Sequence, residues 1–166
     1  MIKIEPIVTS LVEHEVAFVI IGGVAITHYG SAYVTQDFDF CYLRSSENIR
    51  RIVDAMSPFN PRLRNFPENL PFIFDKATLQ NGTNFTFDTD IGDIDLLGEV
   101  AGVGAYSEVE KTSVEIEMFG RPVRVISLEG LIDAKRAAGR VKDLLVLPEL
   151  EALLELQKEE KDEAGD

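Results

Sequence analysis

The sequence is poor in cysteine, in basic residues and in long apolar runs. Its single cysteine, Cys41, excludes an internal disulfide and cannot by itself make a thiolate metal site. Within the mostly apolar residues 38–43 it reads as a small buried side chain. No apolar stretch approaches the roughly 18 residues that a membrane span needs. Residues 1–6 have neither the basic start nor the apolar stretch of a secretory leader, so a cytoplasmic protein with no membrane partner is expected. Sixteen Lys and Arg stand against 29 Asp and Glu, a net charge of −13. Such a balance argues against sequence-independent nucleic-acid binding and leaves RNA contact only to a local basic patch. The basic residues do group, at Arg44, Arg50, Arg51, Arg62 and Arg64, and again at Lys135, Arg136, Arg140 and Lys142.

What remains is a globular composition. The 166 residues are 45% hydrophobic, enough for one domain with a real core. Helical spacing of Ile7, Leu11 and Val12 predicts a first helix over 4–15. The β-branched run 16–21 predicts a buried strand ending at Gly22-Gly23, followed by a short helix over 24–29 closed by Gly30. Alternation over 36–43 predicts a strand, and Ser45 or Ser46 can cap a helix over 47–56. Four prolines and no periodicity make 57–71 a loop. Residues 84–87 and 91–97 read as strands, and 113–119 with 122–126 as a hairpin. Ser127 and Gly139 frame a helix to Ala138. A short helix over 140–145 follows, and Pro148 suits the first turn of a last helix to about Lys161 with a frayed acidic end. The expected architecture is α+β (mixed α/β): a small mixed sheet flanked by helices. Residues 1–126 form the core, and 127–166 form a C-terminal helical segment packed on it, ending in an acidic tail.

The chemistry gathers in three short segments. Asp37 and Asp39 stand two apart on a strand and so share a face, while Phe38 and Phe40 point the other way. Two adjacent carboxylates need a compensating positive charge, and a hard divalent cation such as Mg²⁺ fits oxygen ligands. Spacing alone describes a solvated strand face equally well. Gly22-Gly23 leads from a strand into a helix, where backbone amides can hold an anion and the missing Cβ permits close approach. A third carboxylate is expected from residues 92–97: Asp95, with Asp93 in reserve.

Taken together these residues resemble a known family. Residues 22–30 with the Thr35-Gln36-Asp37-Phe38-Asp39-Phe40 segment look like the signature of the DNA polymerase β-like nucleotidyltransferase superfamily. The resemblance is nearest to the minimal nucleotidyltransferases and the AbiEii-type toxins of toxin–antitoxin systems. Residues 94–97 resemble its third-acid strand, and residues 131–143 its downstream Lys and Arg-x-Lys-Asp helices. Relatives commonly carry an arginine just before the Thr-x-Asp-x-Asp segment, where this sequence has Tyr33 and Val34. The resemblance implies a nucleotidyltransferase fold and transfer of an NMP from an NTP to a hydroxyl acceptor by a two-Mg²⁺ mechanism. It implies Asp37, Asp39 and Asp95 as metal-binding and catalytic residues. Gly22, Gly23, Thr35, Lys135, Arg140 and Lys142 then form the nucleotide site, with Asp143 orienting one of the basic residues. The acceptor would be an RNA such as tRNA, a protein side chain or a small molecule, and a toxin–antitoxin role would bring an antitoxin partner. The other reading is a catalytically inactive nucleotide- or partner-binding module with the same fold.

Overall fold

A four-residue strand, β1 (Phe18–Ile21), lies in the middle of the fold with all four residues buried. We describe residues 1–165 of a computed structural model; Asp166, the last residue of the expected acidic tail, lies outside them. In chain order the elements are α1 (Ile4–Glu13), β1, α2 (Gly22–His28), β2 (Asp37–Tyr42), α3 (Ser46–Met56), a 3-10 turn (Ser57–Phe59) and β3 (Arg62–Leu63). Then come α4 (Lys76–Gln80), β4 (Asn84–Thr89), β5 (Gly92–Leu97), β6 (Glu99–Val100), β7 (Gly104–Ala105) and α5 (Tyr106–Lys111). The chain ends with β8 (Ser113–Met118), β9 (Arg121–Ile126), α6 (Leu128–Ala138) and α7 (Val141–Ala164). Seven strands form one sheet in the order β3-β4-β5-β2-β1-β9-β8, and β6 and β7 make a separate ribbon. β2 runs parallel to β5 and β1 parallel to β9, while the remaining neighbours are antiparallel. The sheet is therefore mixed and flanked by helices, as the element order predicts.

Binary patterning explains the layers. In β2, Phe38, Phe40 and Tyr42 are fully buried, as are Ile94 and Leu96 of β5 beside them. Successive side chains alternate, so the other face of these strands carries Asp37, Asp39, Asp93 and Asp95. The helices that cover the apolar face are tied by specific polar contacts. Ser45 caps α3, its Oγ accepting from Asn48 N–H at 3.1 Å. The buried Asn48 side chain accepts from Ala17 N–H at 2.7 Å and donates to Leu43 O at 2.8 Å, joining α3 to the ends of β1 and β2. Ser10 Oγ of α1 donates to Ala55 O of α3 at 2.6 Å. Ser127 caps α6 as its position predicts, and Gly139 ends that helix in the left-handed conformation at φ 64°. No helix among the described residues is long and apolar enough to cross a membrane.

The structure departs from the sequence expectations in four places. Gly22 and Gly23 are the first residues of α2 rather than a turn before it. The proline-rich loop contains the 3-10 turn and β3, because Arg62 and Leu63 pair with Asp88 and Phe87 on the sheet edge, where few ladder bonds are needed. Residues 99–111, left unassigned by periodicity, form β6, β7 and α5. The last two expected helices are one 24-residue helix that continues through Pro148 to Ala164. Proline removes one i→i−4 bond, but Leu147 and Leu150 on either side are buried in the core and hold the helix in line.

Candidate active site

The site is built where β2 and β5 lie side by side. Their parallel register sets Asp37 opposite Asp93 and Asp39 opposite Asp95. Like charges directly opposed across strands repel, so this register is unfavourable unless something positive enters. One oxygen each from Asp37, Asp39 and Asp95 lie within 4.8 Å of one another, and among the described residues this is the one group of three potential metal ligands. Asp93 falls outside it. Its side chain is half-exposed and faces Arg64 Nη2 at 3.7 Å.

Asp39 carries the strongest perturbation. Burial is the main cause, with the charges of Asp95 and Asp37 and a hydrogen bond to Asp95 adding to it; Lys135 acts in the opposite sense. Together they push the carboxyl up to about 8. Burial also raises Asp95, against the opposing pull of Asp39 and Arg64. Asp39 Oδ1 is buried and has no hydrogen-bond partner. An orphaned carboxylate oxygen, three converging hard ligands and a proton held where a cation would otherwise sit all fit a divalent metal ion.

The glycines serve the acids directly. Gly22 adopts φ 68°, and a Cβ there would fall 2.0 Å from Asp39 Oδ2. Only glycine combines that backbone with that approach. A Cβ on Gly23 would lie 2.6 Å from Thr35 Oγ1. Thr35 in turn donates to Asp37 O at 2.7 Å, bracing the entry to β2. Its hydroxyl is thus engaged with the backbone.

A cavity of about 330 Å³ opens beside the acids. Asp39, Asp95 and Gly22 form one wall, and Lys135, Arg140 and Asp143 another. Leu97, Val100, Ile126 and Leu131 supply an apolar floor. Lys135 reaches this space from α6 and donates to the fully buried Asp143 at 3.1 Å. Arg140 Nε donates to the other oxygen of Asp143 at 2.7 Å. Asp143 also accepts from Arg140 N–H at 3.2 Å, capping α7. Despite burial, its two cationic partners hold the carboxyl below its usual range. The structure thus brings together Gly22, Asp37, Asp39, Asp95, Lys135 and Arg140. Thr35 and Gly23 support β2 from behind, and Lys142 is exposed and does not line the cavity.

One residue at the site is not marked by sequence reasoning. Arg64 donates to Asp95 Oδ1 at 3.2 Å and to Asp88 Oδ1 at 3.1 Å. It stands among the prolines of an expected loop and counts there only as a member of a basic group; no local pattern points it at the acids. Three others of that group are engaged locally, while Arg62 is exposed. Arg44 donates to Tyr42 Oη, Arg50 pairs with Asp54 and Arg51 with Glu47. His28 is exposed at the end of α2, edge-on to Tyr29.

No sequence-family profile matches the chain, and no curated protein matches it in sequence. Solved structures do. The lincosamide antibiotic adenylyltransferase LnuA, bound to lincomycin, matches with a TM-score of 0.58 at 11% identity over 92% of this chain and 98% of that one. The Thermotoga maritima protein TM1012, provisionally assigned as a nucleotidyltransferase, matches with a TM-score of 0.57 at 18% identity over 90% and 94%. ANT(2″)-Ia in complex with adenylyl-2″-tobramycin matches with a TM-score of 0.54 at 18% identity over 95% and 96%. The chain has the nucleotidyltransferase fold across nearly its whole length.

Proposed function

We propose that this chain is a divalent-metal-dependent nucleotidyltransferase that moves an NMP from an NTP to a hydroxyl acceptor and releases pyrophosphate. One observation carries the proposal: three carboxylates converge, two of them (Asp39 and Asp95) lining a cavity that also holds Lys135, and the most buried has an oxygen with no partner. Folds of this class host more than one activity, so the site rather than the fold supports the reading.

Asp37, Asp39 and Asp95 would hold the metal, with two Mg²⁺ ions expected. Bound there, Mg²⁺ would supply Lewis-acid stabilisation of charge on the transferring phosphoryl group. The protein's own residues do the rest. Gly22, at the start of α2 and on the wall of the cavity, lets the Asp39 carboxylate approach the backbone closely. Lys135 contacts the triphosphate and Arg140 assists it, both oriented by Asp143. Asp95, at the edge towards β4, takes the proton of the attacking hydroxyl. Residues 1–126 supply the acids and 127–166 supply the cations, so the reaction needs both parts. Lys142 is assigned no role, and Thr35 serves by bracing Asp37. The acceptor is a small molecule, an RNA end or a protein hydroxyl, and a place in a toxin–antitoxin pair is compatible with each.

The test is calorimetric titration of ATP, GTP, CTP and UTP into the protein with and without Mg²⁺, beside the Asp37→Ala/Asp39→Ala variant. Mg²⁺-dependent binding of at least one nucleotide, lost in the variant, is expected. A wild-type protein that binds none of the four with Mg²⁺ present overturns the reading.

A further inference from the structure

The acidic face extends beyond the three expected ligands. Asp88 of β4 lies opposite Asp93 of β5, so five aspartates (Asp37, Asp39, Asp88, Asp93 and Asp95) share one face across three adjacent strands. Arg64 answers them from the sheet edge. Its backbone N–H donates to Thr86 O at 2.9 Å, which extends the β3–β4 ladder by one residue and fixes where the side chain starts. Its guanidinium then spans Asp88 at 3.1 Å, Asp95 at 3.2 Å and Asp93 at 3.7 Å. The side chain is only 28% exposed. An arginine offers several donors in a rigid fork, and this one divides them between two strands.

We propose that Arg64 is a positioning residue that acts as a tethered cation at Asp95, orienting its carboxylate and competing with the second metal ion. The inference rests on the metal-site reading above. Asp37 and Asp39 are not bonded to Arg64, so a first ion binds there without displacing it. Asp95 already has an oxygen held by a permanent positive charge. A second ion that uses Asp95 must share that carboxylate with the guanidinium or push it aside. Two cations on one half-buried carboxylate repel strongly at the dielectric of a partly dry site. The consequence is ordered filling: one ion binds tightly, and the second binds weakly until phosphate oxygens help to hold it.

The experiment counts ions rather than turnover. Mn²⁺ is titrated into the full chain, and free Mn²⁺ is followed by electron paramagnetic resonance for wild type, Arg64→Gln and Arg64→Lys. Wild type is expected to show one tight and one weak ion. Arg64→Gln should tighten the second by at least about tenfold and move the first much less, because the lost charge stood at Asp95. Arg64→Lys keeps the charge and should stay near wild type, which a purely packing role would not predict. First-ion binding as expected but an unmoved second ion in Arg64→Gln overturns the Arg64 inference alone. Arg64→Lys behaving like Arg64→Gln overturns it as well. Absence of Mn²⁺ binding in both wild type and Arg64→Gln overturns the metal-site reading, and this inference with it.

Discussion

Replacing Asp39 by Asn should make the metal-free protein more stable at pH 8, although it removes a central residue of the site. Folding raises this carboxyl from 3.8 to about 8. The sign follows from proton counting. Between those two values the unfolded chain has released the proton and the folded chain retains it, so stability falls as pH rises. The loss begins above about pH 4 and is complete by about pH 8. Each tenfold change in proton affinity is worth about 1.4 kcal/mol, so a lone carboxyl would lose up to about 6 kcal/mol. Asp37 and Asp95 share the repulsion, which reduces the part that Asp39 alone can return to about 2–4 kcal/mol. Asparagine keeps the shape, carries no charge and offers N–H donors to the neighbouring acids. For a domain of this size about 1 kcal/mol moves Tm by about 2–4 °C, so a gain of roughly 5–10 °C at pH 8 in EDTA is expected. The gap should narrow steadily as pH falls and close near pH 4. Saturating Mg²⁺ should raise the wild-type Tm and leave Asp39→Asn almost unmoved, reversing their order. Thermal unfolding by circular dichroism from pH 4 to 9 measures all of this, and the wild-type-minus-variant difference cancels the titrating groups outside the aspartate cluster. A variant less stable than wild type at pH 8 in EDTA would refute the argument that Asp39 is a destabilising buried acid.

Two further outcomes follow from the same site. Gly22→Ala faces both a left-handed backbone and a Cβ 2.0 Å from Asp39 Oδ2; it should cost about 1–2 kcal/mol through the backbone alone and abolish the Mg²⁺-induced rise in Tm, as thermal scans with and without the ion will show. Asp143→Asn weakens a buried carboxylate that anchors Lys135 and Arg140; a loss of about 3 kcal/mol at pH 7 is expected, with weaker NTP binding by calorimetry. Because folding lowers the Asp143 carboxyl, that stabilisation is present above the ordinary aspartate range and fades as pH falls through it, so the variant and wild type should converge in acid.

The parts of the site readable in the sequence are those in which local pattern and burial agree. Asp37 and Asp39 alternate with Phe38 and Phe40, and period two puts the acids on one face whatever the partner strand is. Ser127 and Gly139 mark the ends of α6 because capping is chemistry between near neighbours. Pro148 misleads for the same reason: its local preference is for a helix start, and buried leucines on both sides override it. Other features required the tertiary structure. That Asp95 meets Asp37 and Asp39 while Asp93 falls outside the cluster depends on the β2–β5 register, and pairing between strands about 50 residues apart leaves no local trace. Gly22 is legible as a permissive residue, but the atom it makes room for, Asp39 Oδ2, lies across a strand pair. Arg64 is the clearest case. Its sequence neighbourhood is proline-rich and aperiodic, and its place at the acids is set by one edge pairing with β4. The sequence by itself therefore determined which residue types could do the chemistry and which faces they share, because period and capping are local physics. The tertiary structure alone decided which carboxylates meet and which cation answers them, because charge interactions depend on distance in space and not along the chain.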